Sequence, residues 1–332
     1  MLDYAKTDGY TFLHISGDQI MPFREAFESM SVLLANGGVM ARIMARRDIE
    51  LDPHVLHTTA VFDERARSVL ADVYSSYADV AVRYRLPMMC STPTLRANAE
   101  RVPQSPYGDT RSVNRNCVEF LDETLDQFTD WREHLYLAGS VGPKGDTYRP
   151  ETALPTEEAA RFHAEQTEAL VEAGVDLLVA YTLPAFVEAA GMAKAFAATD
   201  IPYVLSFVLD REGCLLDGTL LETAIDAIDD SAEQAPLFYL TNCSHSLAIH
   251  AGLVRVGRDA PHALKRIAGA RPNASPKSQI ELEGLDHIET ESPEDFASAM
   301  VTLRGEFNLK VLGGCCGTDE GHLEELAKSL SG

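Results

Sequence analysis

From residue 135 onward, short runs of apolar residues alternate with longer stretches in which apolar side chains recur every three or four positions. LYLAGSV runs into a Gly-Pro turn, LPTEEAARFHAEQTEALVEAG carries Ala, Phe and Leu on one helical stripe, and VDLLVAYTLP is an extended run that stops at proline. The unit then repeats. FVEAAGMAKAFAAT reads as helix, IPYVLSFVLD as strand, GTLLETAIDAID as helix and APLFYLTNCS as a strand closing on polar residues. HALKRIAGARPNAS predicts a weaker helix followed by a strand, SPEDFASAMVTLRGEF a helix, LKVLGG a strand and TDEGHLEELAKSL a final helix. Ser292 and Pro293 mark one helix start, the serine capping and the proline filling the first helical position.

The predicted strands are continuous apolar runs rather than alternating ones, as expected where both faces of a parallel sheet are covered. With GYTFLHI and RLPMMCSTPT added, about eight strands interleave with helices, a pattern that predicts an α/β fold of the (β/α)8 TIM-barrel type over an open doubly wound sheet. Residues 37 to 80 and 96 to 116 exceed what a barrel connection needs, so loop insertions are expected in the N-terminal third. The chain shows no repeat of fixed period and no low-complexity linker, and residues 1–332 are read as a single barrel domain. No G-x-G-x-x-G follows an early strand, which removes support for a dinucleotide site.

Charge narrows the partners. The 51 acidic residues against 28 basic give a formal net charge of −23 at pH 7, which argues against nucleic acid and anionic membranes; it is compatible with a small-molecule substrate and reads first as a solubility or salt-tolerance trait. No apolar run is long enough to span a bilayer; the most hydrophobic region, 175 to 198, is broken by Asp176, Pro184, Glu188 and Lys194. MLDYAKTDGYTF has no basic stretch leading into an apolar one, so no signal peptide is read there and a cytoplasmic setting is expected. Six cysteines spread along a chain of this size are no disulfide framework, and in a reducing compartment a cysteine cluster points to metal or catalysis.

Three of those cysteines fall at one rim of the predicted barrel. Cys243 ends the sixth strand, and Cys315 and Cys316 follow the eighth, so all three sit at the C-terminal face where such barrels place their active sites. Three soft sulfur ligands with a fourth position open suit Zn²⁺. Adjacent cysteines do not readily pair with each other, and the flanking glycines free the backbone to turn both sulfurs one way. On the residues alone, three small apolar groups packed at a glycine turn fit equally well. Cys90, Cys117 and Cys214 are read as packing. His54 and His57 read as an exposed pair in an insertion, His163 as a packing or capping residue and Glu188 as a helix-face carboxylate. His245 is either a loop histidine or a hydrogen-bonding neighbour of a metal.

Taken together, GGCCGT before a final helix, NC after an earlier strand and LAGSVGPKGD…FHAEQTEALVEAGVDLLVAYTLPAFVEA resemble the homocysteine S-methyltransferase family. SFVLDREGCLLDGTLL and ARPNAS extend the likeness, and CSTPTLRAN carries it loosely into the first 130 residues. The resemblance implies that Cys243, Cys315 and Cys316 hold Zn²⁺ and that the metal binds the sulfur of a thiol acceptor. It implies methyl transfer from a sulfonium or betaine-type donor to homocysteine, giving methionine, with no catalytic residue beyond the metal site. Two departures stand out. Where the family opens its first strand into Asp-Gly-Gly, HISGDQIM puts Ser16, Gly17 and Asp18; where the family has Glu-Thr after the fourth strand, this chain has Tyr181 and Thr182. Asn242 is read as presenting Cys243 and as a hydrogen-bond partner of substrate, and Tyr181 and Phe207 as candidate aromatic walls for a cationic donor, with ordinary core packing the stronger reading for Phe207. A tyrosine brings no charge to an ammonium. The alternatives are therefore methylation of a different small thiol, or a non-catalytic homologue that keeps only the metal or a ligand.

Overall fold

The computed structural model describes residues 22–277 and 289–331, together with the backbone of two short strands nearer the N-terminus, β1 (Tyr4–Thr7) and β2 (Tyr10–Leu13). Eight parallel strands close into a barrel: β3 (Leu33–Ala35), β4 (Met88–Ser91), β5 (Leu135–Val141), β6 (Leu177–Leu183), β7 (Tyr203–Phe207), β8 (Phe238–His245), β9 (Ile267–Asn273) and β10 (Val311–Gly313), which pairs back onto β3. Each barrel strand is followed by a helix on the outside, in order Glu64–Tyr84, Thr110–Leu125, Thr156–Glu172, Phe186–Ala197, Leu221–Ser231, Ser246–Asp259, Pro293–Phe307 and Glu320–Leu330. The (β/α)8 expectation holds. Every residue of β5 and β6 is buried, as continuous apolar strands between two packed layers require.

Alternate residues along the strands serve two cores. Leu33, Met89, Val179, Val204 and Leu240 fill the barrel interior, while Leu178, Leu205, Tyr239 and Leu312 face the helices. The helix Phe23–Ser29 plugs the N-terminal end of the barrel, where Phe23 meets Tyr136 edge-on at 5.1 Å and Phe27 stacks on Phe238 at 4.4 Å between ring centres. With one end closed by aromatic rings, only the C-terminal end is left for a ligand.

One predicted strand is displaced. The first barrel strand is not GYTFLHI but Leu33–Ala35; Tyr10–Leu13 pairs antiparallel with Tyr4–Thr7 instead. YTFL has the stronger β-forming side chains, but LLA has the neighbours, Val311 to Gly313 on one side and Met88 to Met89 on the other. The first expected insertion also shrinks, since Glu64–Tyr84 is the regular barrel helix and only residues 36–63 are extra, with a short helix at Met40–Met44 and a 3-10 turn at His57–Phe62. Among the described residues, no helix is long and apolar enough to cross a membrane.

Candidate metal centre

At the C-terminal end of the barrel, the two strands that flank β7 break their regular geometry. β6 shifts register between Ala180 and Leu183, and β8 between Asn242 and His245. Within each break one non-glycine residue sits in the left-handed region, Thr182 at φ 58° and Cys243 at φ 54°. Such bulges re-aim side chains, and the left-handed conformation persists only where its surroundings hold it. Asn242 is the holder. Its Oδ1 accepts from the Thr182 backbone N–H at 3.0 Å and from Ser206 Oγ at 2.7 Å, which fixes the amide so that Nδ2 faces Thr182 Oγ1 at 2.8 Å and Cys243 Sγ at 3.3 Å. Thr182 Oγ1, having accepted from that amide, directs its own proton at Cys243 Sγ from 3.6 Å. Two donors thus point at one sulfur.

A second asparagine joins this strand end to the double cysteine. Asn273 Nδ2 donates to the Cys243 carbonyl at 3.0 Å, and its Oδ1 accepts from Cys316 N–H at 3.1 Å. Cys315 N–H reaches the Pro272 carbonyl at 2.9 Å, and the chain turns away at Gly317, whose φ of +83° suits glycine. The three Sγ atoms lie within 4.8 Å of one another, those of Cys243 and Cys315 adjacent at 2.50 Å with their Cα atoms 5.6 Å apart. Burial pushes the Cys316 thiol up, against a smaller opposing pull from its own backbone and Arg271. Three converging sulfurs, one of which resists ionising alone, form a donor set that a soft cation fits.

The sulfurs line a cavity of about 420 Å³ that also takes in Tyr181, Thr182 and Asn242. All six of these predicted site residues therefore share one space. Ser16, Gly17 and Asp18 lie outside the described residues. The segment that β3 opens into at the cavity wall is Asn36-Gly37-Gly38, an amide where the resemblance expects a carboxylate. Phe207 does not reach the cavity: it is fully buried in the layer between barrel and helices, stacked on Tyr239 at 6.0 Å. Tyr181 lines the cavity, but Arg271 already lies over its ring, 4.6 Å from the centroid.

One of the histidines departs from expectation. His57 is buried at the cavity wall rather than exposed, its pKa lowered to about 4 by burial and by the nearby Arg96. His245 accepts from Leu247 N–H at 3.3 Å, capping the helix after β8, and stands 3.5 Å from Glu291. His163 and Glu188 form a pair with both side chains fully buried. Glu188 Oε1 accepts from Lys144 N–H at 2.7 Å and from His163 Nε2 at 2.9 Å, and Oε2 from Leu154 N–H at 3.3 Å. That carboxylate anchors both ends of the loop carrying Thr147, Tyr148 and Arg149 on the cavity wall. Glu188→Ala leaves two buried N–H groups and an imidazole unpaired, so a loss of about 2–4 kcal/mol is expected from urea unfolding. A loss below about 1 kcal/mol would show that the loop does not depend on this anchor.

Sequence reasoning missed Asn36, His57 and Arg271 as parts of this wall, and Asn273 as the link between Cys243 and Cys316. Only Arg271 carried a local signal, as a cation inside an otherwise apolar strand.

Comparison with known proteins agrees with this geometry. The homocysteine S-methyltransferase family model matches residues 33–330, beginning at the first barrel strand. Homocysteine S-methyltransferase YbgG of Bacillus subtilis is 22% identical over 310 residues, covering 89% of this chain and 93% of that protein. The homocysteine S-methyltransferase of Escherichia coli is 28% identical over 214 residues, 61% of this chain and 67% of that one. Methionine synthase of Mycobacterium tuberculosis is 22% identical over 91% of this chain, which spans 25% of that longer protein. In structure, the metallated form of the E. coli homocysteine methyltransferase MmuM superposes with a TM-score of 0.72 at 21% identity, over 93% of this chain and 100% of that one, a likeness of fold. With the family model spanning the whole barrel, the chain belongs to the homocysteine S-methyltransferase family, whose members are methyltransferases.

Proposed function

We propose that this methyltransferase holds Zn²⁺ on Cys243, Cys315 and Cys316 and moves a methyl group from a sulfonium or betaine-type donor to a small thiol, with homocysteine the family's acceptor. The convergence of three sulfurs within 4.8 Å, with an N–H and an O–H donor facing one of them, carries this reading. A free alkyl thiol ionises near pH 8.5, and a bound cation supplies what is missing at neutral pH by holding the acceptor sulfur as the nucleophilic thiolate. The protein's own residues do the rest. Asn242 and Thr182 steady Cys243 in its left-handed turn, and Asn273 sets Cys316 against it. The acceptor thiol gives up its proton to solvent; its sulfur forms a bond to the methyl carbon as the bond from that carbon to the donor's S⁺ or N⁺ breaks, the electron pair leaving with the donor. Alignment of the two reactants in the closed barrel mouth is then the main contribution to rate.

With homocysteine as acceptor the product is methionine, and free cysteines suit a reducing, cytoplasmic setting. Pairing of Cys243 with Cys315 and metal binding exclude each other, so the test is made under reductant. Zinc K-edge absorption on the protein is expected to show three sulfurs and one light atom, changing to four sulfurs when a substrate thiol is added. Zinc absent, or present without sulfur neighbours, would overturn the reading.

A further inference from the structure

We propose that the acceptor is a small thiol bearing a carboxylate and no ammonium group, and that Arg271 is the residue that binds that carboxylate. This rests on the cysteine site being where the acceptor sulfur is held. The chain carries a formal charge of −23, yet the charged side chains described on the cavity wall are the part-buried or buried Arg96 and Arg271 and the exposed pair Arg149 and Asp146. An acidic protein that turns its local sign positive around one cavity attracts anions there.

Arg271 makes the case specific. Its side chain belongs to a residue only 6% exposed, and among the described residues no carboxylate lies within ion-pair distance of it. The guanidinium, which stays charged in proteins, bonds neutral groups among the described residues: Nε to the Gly314 carbonyl at 3.3 Å, Nη1 to Ser91 Oγ at 3.2 Å and Nη2 to the Asn36 carbonyl at 2.8 Å. Tyr181 completes the cradle, its ring under the guanidinium and its hydroxyl on Ser91 Oγ at 2.8 Å. A guanidinium has five N–H donors; three are used by the described residues, which leaves two for other partners. A buried charge without a counterion is costly, and a planar fork with two free donors is the group that pairs best with a carboxylate.

Position adds reach. Arg271 lies in register with Asn242, the residue before Cys243, and its Nε touches the carbonyl of Gly314, the residue before Cys315. A thiol held at the cysteines therefore needs only a few carbons to bring an acid group to Arg271. An ammonium in the same place would meet a cation and the neutral Tyr181 and Asn36.

Binding can be read without knowing the methyl donor. Full-length protein is loaded with Co²⁺ and titrated under reductant with 4-mercaptobutanoate, 4-mercaptobutanamide and L-homocysteine, following thiolate-to-cobalt absorption. 4-Mercaptobutanoate is expected to bind at least about tenfold more tightly than either of the others. Arg271→Met is expected to erase the preference of acid over amide while leaving the thiol-free cobalt spectrum unchanged, and Arg271→Lys to keep part of it. If L-homocysteine binds as tightly as its des-amino analogue, or if Arg271→Met keeps the acid preference, the anionic-acceptor proposal fails while the metal site stands. If no thiol changes the cobalt absorption, the reading of the cysteine site fails, and this proposal falls with it. The wild-type comparison decides the matter even if the Arg271 variants do not fold.

Discussion

Cys315→Ser is expected to leave the barrel folded and to abolish both zinc retention and methyl transfer. Serine has nearly the same shape, and Cys315 is half-buried at a loop, so the cost in stability should be small. The cost at the metal is not. Losing even a hydrogen-bonded neighbour of a ligand lowers metal affinity by about 10- to 100-fold, and losing one of three protein ligands costs more, on the order of 10³ or greater. Two sulfurs on opposite sides of a strand end no longer form a closed donor set, and the acceptor thiol loses what keeps it ionised. Metal content after dialysis, measured beside a thermal melt, checks the prediction. Cys214→Ser is the control: its sulfur takes a bond from Arg255 at 3.0 Å, away from the three-sulfur group, and its zinc content should match the parent. Full zinc in Cys315→Ser with a normal melt would remove the double cysteine from the site.

How far this site was readable from the chain follows from which residues announce themselves. β5 and β6 are buried on both faces, so their apolar runs stand out without any pairing information. Three cysteines at the ends of recognisable strands inherit their position from the barrel itself. Leu33–Ala35 is only three residues long and is defined by its neighbours, so its identity, and with it Asn36-Gly37-Gly38 at the cavity, was invisible to local pattern. Glu188 sits in the apolar helix Phe186–Ala197, where an inward carboxylate looks the same in sequence as an outward one; its partner His163 comes from a different helix. The bulges at Thr182 and Cys243 were illegible for another reason. Left-handed backbone at non-glycine residues is imposed by contacts across strands, here by Asn242, and leaves no mark in local composition.

Gly269→Ala is expected to damage the fold more than any substitution at the rim, because it forces apart the strands that place the double cysteine. β10 has three residues, and on one side Val311 lies against Gly269 and Leu312 against Ala270. A Cβ added at Gly269 would lie 2.0 Å from the Val311 carbonyl oxygen and 2.6 Å from the Val311 side chain. The obstacle is backbone inside a closed barrel, so no rotamer change relieves it and one strand must move. Overpacking of a filled core costs about 1–3 kcal/mol, and a clash with backbone on a short strand belongs at or above the upper end. The shift also travels along the chain, since Cys315 follows two residues after β10 ends and donates its backbone bond to Pro272 of β9. The variant should therefore lose at least about 3 kcal/mol in urea unfolding, together with zinc affinity. Gly305→Ala supplies the opposite sign. It lies in the helix Pro293–Phe307, and an added Cβ would meet nothing within 4 Å, so relief of glycine's entropy there should stabilise the protein by about 0.5–1 kcal/mol. An unchanged urea midpoint for Gly269→Ala would mean that β9 and β10 do not approach so closely, and that the double cysteine is placed by its loop rather than by the barrel.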